Sequence, residues 1–249
     1  MSLQGKVALV TGSSRGIGAA TAKLLARNGA AVAVNYFEHK DAADTVVKEI
    51  MDHGGKAIAI QADARDAGQV TAMVDRVTSE FGPIDILVLN AGMKVPFKMF
   101  MEMSHEEFEG KVMGELNCCF YPVKAVAPSM IERKRGCIIG ISSGLSRYAS
   151  DKFSAHTTAK SALDGLMKAL AYELGPHGIR VNTVAPGLTM TDATSWVPQE
   201  HIDAQASRTP LRRVGMPEDV AGMVLALAMD ETGFVTGAYI PVSGGNQMI

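Results

Sequence analysis

Short apolar runs alternate with helix-period segments from one end of this chain to the other, and that alternation restricts its fold more than any other feature. Val7-Ala8-Leu9-Val10 is continuous and apolar, as a strand buried on both faces should be. Ile17, Ala20, Thr21, Leu24 and Leu25 then follow at helical spacing, and the pattern stops at Asn28-Gly29. Strand-like runs recur at 31–34, 57–60, 84–89, 137–141, 179–184 and 238–242. Helical segments at 40–53, 67–81, about 104–132, 155–174 and 217–229 separate most of them. This order predicts right-handed βαβ crossovers and a single-domain α/β fold, a doubly wound parallel sheet with helices on both faces. No linker, low-complexity tract or repeat divides residues 1–249, so one domain is expected.

Composition removes several function classes. The chain has 249 residues, 24 Lys plus Arg against 26 Asp plus Glu, and a net charge of −2. A nucleic-acid binder would carry a basic excess or stripe, so no nucleic-acid partner is expected. Cys118, Cys119 and Cys137 are odd in number, two of them adjacent, which suits neither a disulfide framework nor a metal site. They are expected as small buried hydrophobes, with no metal. The segment from Met1 to Lys6 has no signal-peptide core, and no apolar run approaches the roughly 18 residues that span a bilayer. These features predict a cytoplasmic protein with no membrane partner.

Between the first strand and the first helix lies Thr11-Gly12-Ser13-Ser14-Arg15-Gly16-Ile17-Gly18. A Rossmann-like fold places its phosphate-binding turn there, where glycines let the backbone approach a pyrophosphate and helix-start N–H groups meet its charge. Gly12, Ser14, Arg15, Gly16, Ile17 and Gly18 are therefore candidate cofactor-binding residues. The spacing is G-x-x-x-G-x-G rather than the general G-x-G-x-x-G. The second strand ends Val34-Asn35-Tyr36-Phe37, with no acidic residue before Glu38. An acidic residue there would bind the adenosine ribose of NAD. Asn35 at that place, with Arg15 available for a 2′-phosphate, predicts NADP(H) over NAD(H).

With Asp63-Ala64, Asn90-Ala91-Gly92, Pro186-Gly187, Ser143 and Lys160 added, the chain resembles the short-chain dehydrogenase/reductase family from Lys6 to Gly245. It is most similar to the 3-oxoacyl-carrier-protein reductase branch. The resemblance implies that Asp63 with Ala64 contacts the adenine and that Asn90, followed by Ala91 and Gly92, supports the ribose side. It implies further that the segment from Pro186 and Gly187 through Thr189 to Thr191 passes beside the nicotinamide. Lys160 would anchor the nicotinamide ribose and Ser143 would polarise the substrate oxygen. Asn117 matches the helical Asn that many family members use to hold a water; a mid-helix Asn bonded to nearby backbone remains the other reading. Asp63 can equally be a helix cap, and Asn90 a turn residue.

One departure bears on the chemistry. Family members usually carry Tyr-x-x-x-Lys with a Ser thirteen residues before the Tyr. Counting forward from Ser143 and back from Lys160 both reach His156. On a helix, i and i+4 share a face, so His156 and Lys160 should point into one cleft. Positive charge favours a phenolate but disfavours imidazolium, so the His156 pKa should fall below the ~6.5 reference. Three outcomes stay open. Carbonyl reduction can proceed with atypical acid catalysis; the substrate can be an activated ketone, enone or quinone that needs little acid; or the chain can bind nucleotide without catalysis and serve a regulatory or scaffolding role. The enoyl-reducing branch places its Tyr seven residues before the Lys, and Phe153 stands there.

Residues 188–215 read as a long irregular substrate-covering loop carrying Trp196, the one tryptophan. Met93, Met99, Phe100, Met101 and Met103 add an apolar stretch suited to an acyl chain or aromatic polyketide, free or carrier-bound. By analogy with the family, a homo-oligomer, dimer or tetramer, is expected. Together these readings predict an NADPH-dependent oxidoreductase reducing a 3-oxoacyl or polyketide-like ketone.

Overall fold

The computed structural model describes residues 3–248; residues 1, 2 and 249, including Met1-Ser2 of the expected leaderless start, lie outside the described residues. Seven strands form one parallel sheet: β1 (Val7–Val10), β2 (Ala31–Tyr36), β3 (Lys56–Gln61), β4 (Ile86–Leu89), β5 (Gly136–Ile141), β6 (Ile179–Pro186) and β7 (Tyr239–Val242). Their spatial order is β3-β2-β1-β4-β5-β6-β7. The order reverses direction beside β1, between its neighbours β2 and β4, and open α/β sheets bind ligands at such a point, beyond the carboxyl ends of the strands.

Alternate strand residues serve two cores. Ala8, Val10, Val32, Val34, Val88 and Ile139 face α1 (Gly16–Arg27), α2 (Lys40–Asp52) and α7 (Pro217–Ala228), where Leu25, Ile50 and Val224 pack. Leu9, Ala33, Leu87, Leu89, Ile138 and Val181 face α3 (Ala67–Phe81), α4 (His105–Arg133) and α5 (Ser154–Leu174), where Met73, Met130 and Leu163 pack. With both faces covered, the strands read as continuous apolar runs.

The 29-residue α4 begins at a capping box: Glu107 N donates to Ser104 Oγ at 3.2 Å, and Ser104 N donates to Glu107 Oε2 at 3.0 Å. Residues 188–215 are not wholly irregular. A 3₁₀ turn covers Asp192–Thr194, and α6 (Gln199–Arg208) follows. The sequence concealed α6 because none of its residues is buried, so it carries no apolar stripe. All three cysteines are buried free thiols. Burial pushes Cys118 and Cys119 on α4 up to about 12 and Cys137 on β5 up to about 11. Among the described residues, no helix is long and apolar enough to cross a membrane, and no cluster of His, Cys, Asp or Glu is suited to a metal.

Candidate active site

The glycine loop is held from two sides. Asn90, just beyond β4, donates from Nδ2 to the carbonyls of Thr11 (2.9 Å) and Gly12 (2.8 Å). The backbone N–H groups of Asn90 and Ala91 both donate to Thr11 Oγ1 at 3.0 Å. Gly12 has φ +59°, and a Cβ there would lie 2.8 Å from Ala91 Cα, so a larger residue is excluded twice over. Gly18 meets the same limit, since its Cβ would lie 2.6 Å from both Asn90 Nδ2 and the Gly12 carbonyl. Ile17 packs onto the core below, Ser14 is half-buried and Arg15 is exposed.

Asn35, a cofactor-binding candidate from its place at the end of β2, is engaged by the protein's own groups. It is 2% exposed, its Oδ1 accepts from Gly12 N at 3.0 Å, and its Nδ2 donates to the Ala62 carbonyl at 3.0 Å. The side chain braces the glycine loop from beneath. The sequence signal was available, since an amide at the end of a central strand needs buried partners.

Asp63 lies beyond β3 and is paired with Arg65 through three side-chain contacts of 2.6 to 3.1 Å; this holds its carboxyl below the usual range. It is not the cap of α3, because Asp66 accepts from Gln69 N in that role. Ala64 is buried beside it. The Arg65 guanidinium also lies over the Phe37 ring, 5.5 Å from its centre.

The segment after β6 returns over the loop. Pro186 is buried, Gly187 N donates to the Val242 carbonyl at 3.0 Å, and buried Thr189 donates to the Gly187 carbonyl at 3.1 Å. Thr191 stands opposite Gly16, and Arg15 Nη1 lies 3.8 Å from Asp192 Oδ2. The covering segment and the glycine loop thus meet at both Gly16 and Arg15.

Lys160 and His156 sit one turn apart on α5, as their spacing predicts. Lys160 donates to the Ile141 carbonyl at the end of β5 (2.7 Å) and contacts Glu115 Oε1 at 2.6 Å. Glu115 is 1% exposed and also pairs with Lys111, itself 3% exposed. Burial opposes ionisation of Glu115, but Lys160 and Lys111 outweigh it and hold the carboxyl at about 2. Burial likewise lowers Lys160, yet Glu115 prevails and the net shift is upward, so the ammonium is kept. Lys111 moves down, chiefly through burial.

Neither Lys111 nor Glu115 was singled out from the sequence; their signal was a Lys-x-x-x-Glu pair on the sheet-facing side of a long helix. Asn117, the expected α4 participant, is two residues past Glu115, about 200° around the helix. The α4 side chain that meets Lys160 is Glu115.

His156 is largely buried, and its Nδ1 has no hydrogen-bond partner in the described protein. Burial lowers its pKa to about 3, with Lys111 and Lys160 adding to the shift and Glu115 opposing it. The direction matches expectation, but burial is the larger cause. Ser143 follows β5 and caps a short 3₁₀ turn, its Oγ accepting from Leu145 N at 3.2 Å. An aromatic path leads outward from His156: its ring centre is 5.9 Å from Phe153, Phe153 is 5.2 Å from Phe97, and Phe97 is 4.9 Å from Trp196 in the covering segment.

The glycine loop, Asn90, Lys160, Ser143 and the segment after β6 therefore gather beyond the carboxyl ends of the strands. Comparisons with known proteins show the family. A family model described as Enoyl-(Acyl carrier protein) reductase matches residues 12–247. The chain is 38% identical to a 3-oxoacyl-[acyl-carrier-protein] reductase of Staphylococcus aureus, over 98% of each protein. A short-chain type dehydrogenase/reductase from Mycobacterium marinum superposes with a TM-score of 0.94 at 37% identity, over 100% of this chain and 98% of that one. A 7α-hydroxysteroid dehydrogenase solved with NADH and 7-oxo glycochenodeoxycholic acid superposes with a TM-score of 0.94 at 35% identity, over 98% of this chain and 95% of that one. The chain belongs to the short-chain dehydrogenase/reductase family of oxidoreductases.

Proposed function

We propose that this protein is an NADPH-dependent reductase of a 3-oxoacyl or polyketide-like ketone, working with His156 where its relatives usually carry Tyr. The observation that carries this reading is the buried Lys160 ammonium, fixed between the β5 carboxyl end and Glu115, one helical turn from His156. The loop fits a dinucleotide: Gly12 takes a left-handed conformation against Ala91, and its N–H is oriented by Asn35. Gly12, Ser14, Gly16, Ile17 and Gly18 would hold the pyrophosphate, with Asp63 and Ala64 toward the adenine. Asn90, Ala91 and Gly92 would lie on the ribose side, and Pro186, Gly187, Thr189 and Thr191 beside the nicotinamide. Asn35 in place of an acidic residue within β2 and the exposed Arg15 support NADPH over NADH, with Glu38 the first carboxylate after the strand.

When bound, the nicotinamide supplies hydride to the substrate carbon. The chain's own residues govern the oxygen. Ser143 donates a hydrogen bond to it, and the Lys160 ammonium adds positive field as negative charge develops. A neutral His156 can hydrogen-bond to the same oxygen, but giving up its ring proton would leave an unfavourable imidazolate. Proton delivery then runs through Ser143, Lys160 and solvent. Asn117 enters only as a water-holding group on α4.

The depressed His156 pKa and the Phe153–Phe97–Trp196 wall favour a second reading, in which the substrate is an activated enone, enoyl thioester or quinone requiring little acid. Following NADPH oxidation with acetoacetyl thioesters, quinones and activated enones separates the two. Turnover of the ketones carries the first reading, and turnover of enones or quinones alone carries the second. Tight NADPH binding with no turnover on any of them leaves a catalytically silent nucleotide-binding protein. Carrier-bound acyl substrates and a homo-oligomeric state, dimer or tetramer, complete the reading by analogy with its relatives.

A further inference from the structure

Three charged side chains, Lys111, Glu115 and Lys160, are buried together where α4 crosses α5, and they do more than pair with one another. Glu115 Oε2 accepts from Met93 N at 3.0 Å, while Lys111 donates to the Met93 carbonyl at 2.8 Å. Glu115 Oε1 contacts Lys160, which reaches the Ile141 carbonyl. One carboxylate thus joins the chain that follows Asn90-Ala91-Gly92 to the lysine on α5. A buried carboxylate between two ammoniums is strongly held in place, and a buried lysine deprived of such a partner readily gives up its proton.

We propose that Glu115 is a positioning residue: its carboxylate keeps Lys160 protonated and directed at the carboxyl end of β5, and locks the loop at Met93 to the same point. Lys111 completes the arrangement by pairing with the second oxygen of Glu115 and clamping the other side of Met93. The groups facing Lys160 are few. On α4 they are Lys111, Glu115, Cys118 and Cys119; on α5 they are His156 and Asp164. Both thiols are un-ionised in the neutral range and His156 is uncharged there. Asp164 contributes only distantly, so Glu115 is the anion within contact distance that holds the ammonium.

The inference gives Lys160 its support in the proposed reductase, and rests on that reading only for its catalytic meaning. Its test reads the lysine directly. Protein labelled with 13C at lysine Cε is titrated by NMR without cofactor, the Lys160 signal being identified by its loss in Lys160→Met. In the parent, Lys160 should remain protonated beyond the range of ordinary lysines. In Glu115→Gln its midpoint should fall by at least about one pH unit, because a buried ammonium loses its counter-charge while Lys111 remains. In the charge-balanced pair Lys111→Met/Glu115→Gln the midpoint should lie between these two, and this variant decides the matter if the single one does not fold. A Lys160 midpoint unchanged from the parent in either variant overturns the proposal. Absence of NADPH turnover in the parent alongside the expected Lys160 shift counts against the reductase reading and leaves this inference supported.

Discussion

Asn35 and Gly12 share a hydrogen bond in which the Asn35 side-chain oxygen accepts from the Gly12 backbone N–H at 3.0 Å. The bond joins the end of β2 to the first residue of the glycine turn. It comes from a side chain that also donates to the Ala62 carbonyl beyond β3. Asn35→Ala should cost about 1–3 kcal/mol of stability, since it strands the Ala62 carbonyl and the Gly12 N–H. Dinucleotide affinity should fall with it as the turn loses its brace. Urea unfolding together with NADPH titration checks both, and a variant as stable as the parent would rule out the bracing role.

Arg15 is exposed beside the glycine turn, 3.8 Å from Asp192 across the covering segment. That surface pair is worth little in itself. If Arg15 receives the 2′-phosphate, Arg15→Ala should weaken NADPH binding by about 10–100-fold, the range of a hydrogen bond to a charged group, and should hardly alter NADH. Fluorescence titration with both dinucleotides distinguishes them. Equal losses for the two would assign Arg15 to the covering segment rather than to cofactor choice.

His156 makes stability depend on pH in a definite direction. Its folded-state pKa is about 3, below the ~6.5 expected in an unfolded chain, so the unfolded chain takes up the proton first. The contribution is whole above about pH 6.5 and drains away as pH falls toward 3. At about pH 5 the loss amounts to about 2 kcal/mol. Between about pH 7.5 and pH 5 the parent should therefore lose that much more stability than His156→Phe in urea titrations. The same site predicts a kinetic gain. His156→Tyr should speed ketone reduction by at least about tenfold if acid catalysis limits the rate, within the span a positioned acid supplies.

Trp196 rests on Phe97 at the outer end of the aromatic path to His156. Trp196→Ala should raise KM for a bulky apolar ketone by about 2–10-fold, the value of one aromatic contact, with kcat less affected. Steady-state kinetics across ketones of increasing size tests this. A change confined to kcat would mean that the covering segment governs closure instead of substrate contact.

The strands and long helices were legible because apolar periodicity is a direct record of which face is buried, and this sheet is covered on both sides. The glycine turn was legible from its place between the first strand and the first helix, and Asn90 and the His156–Lys160 pair through the family resemblance, with strand ends and helical spacing in support. Glu115 and Lys111 were not. On a long helix a Lys-x-x-x-Glu pair usually marks a solvated surface, and only the crossing of α4 over α5 turns it inward. Asn35 was legible as a residue without negative charge, but its burial depended on the adjoining turn and on β3. The helix α6 escaped for the opposite reason, having no buried face to leave a pattern.

The three thiols sit deep in the protein with their ionisation pushed to about 11 or 12, leaving almost no thiolate at neutral pH. The native fold should accordingly react little with maleimides and iodoacetamide. A cysteine placed at the solvent-facing Trp196 would accept a single fluorophore, and the covering segment's movements become observable in real time without first stripping the protein of its own sulfur.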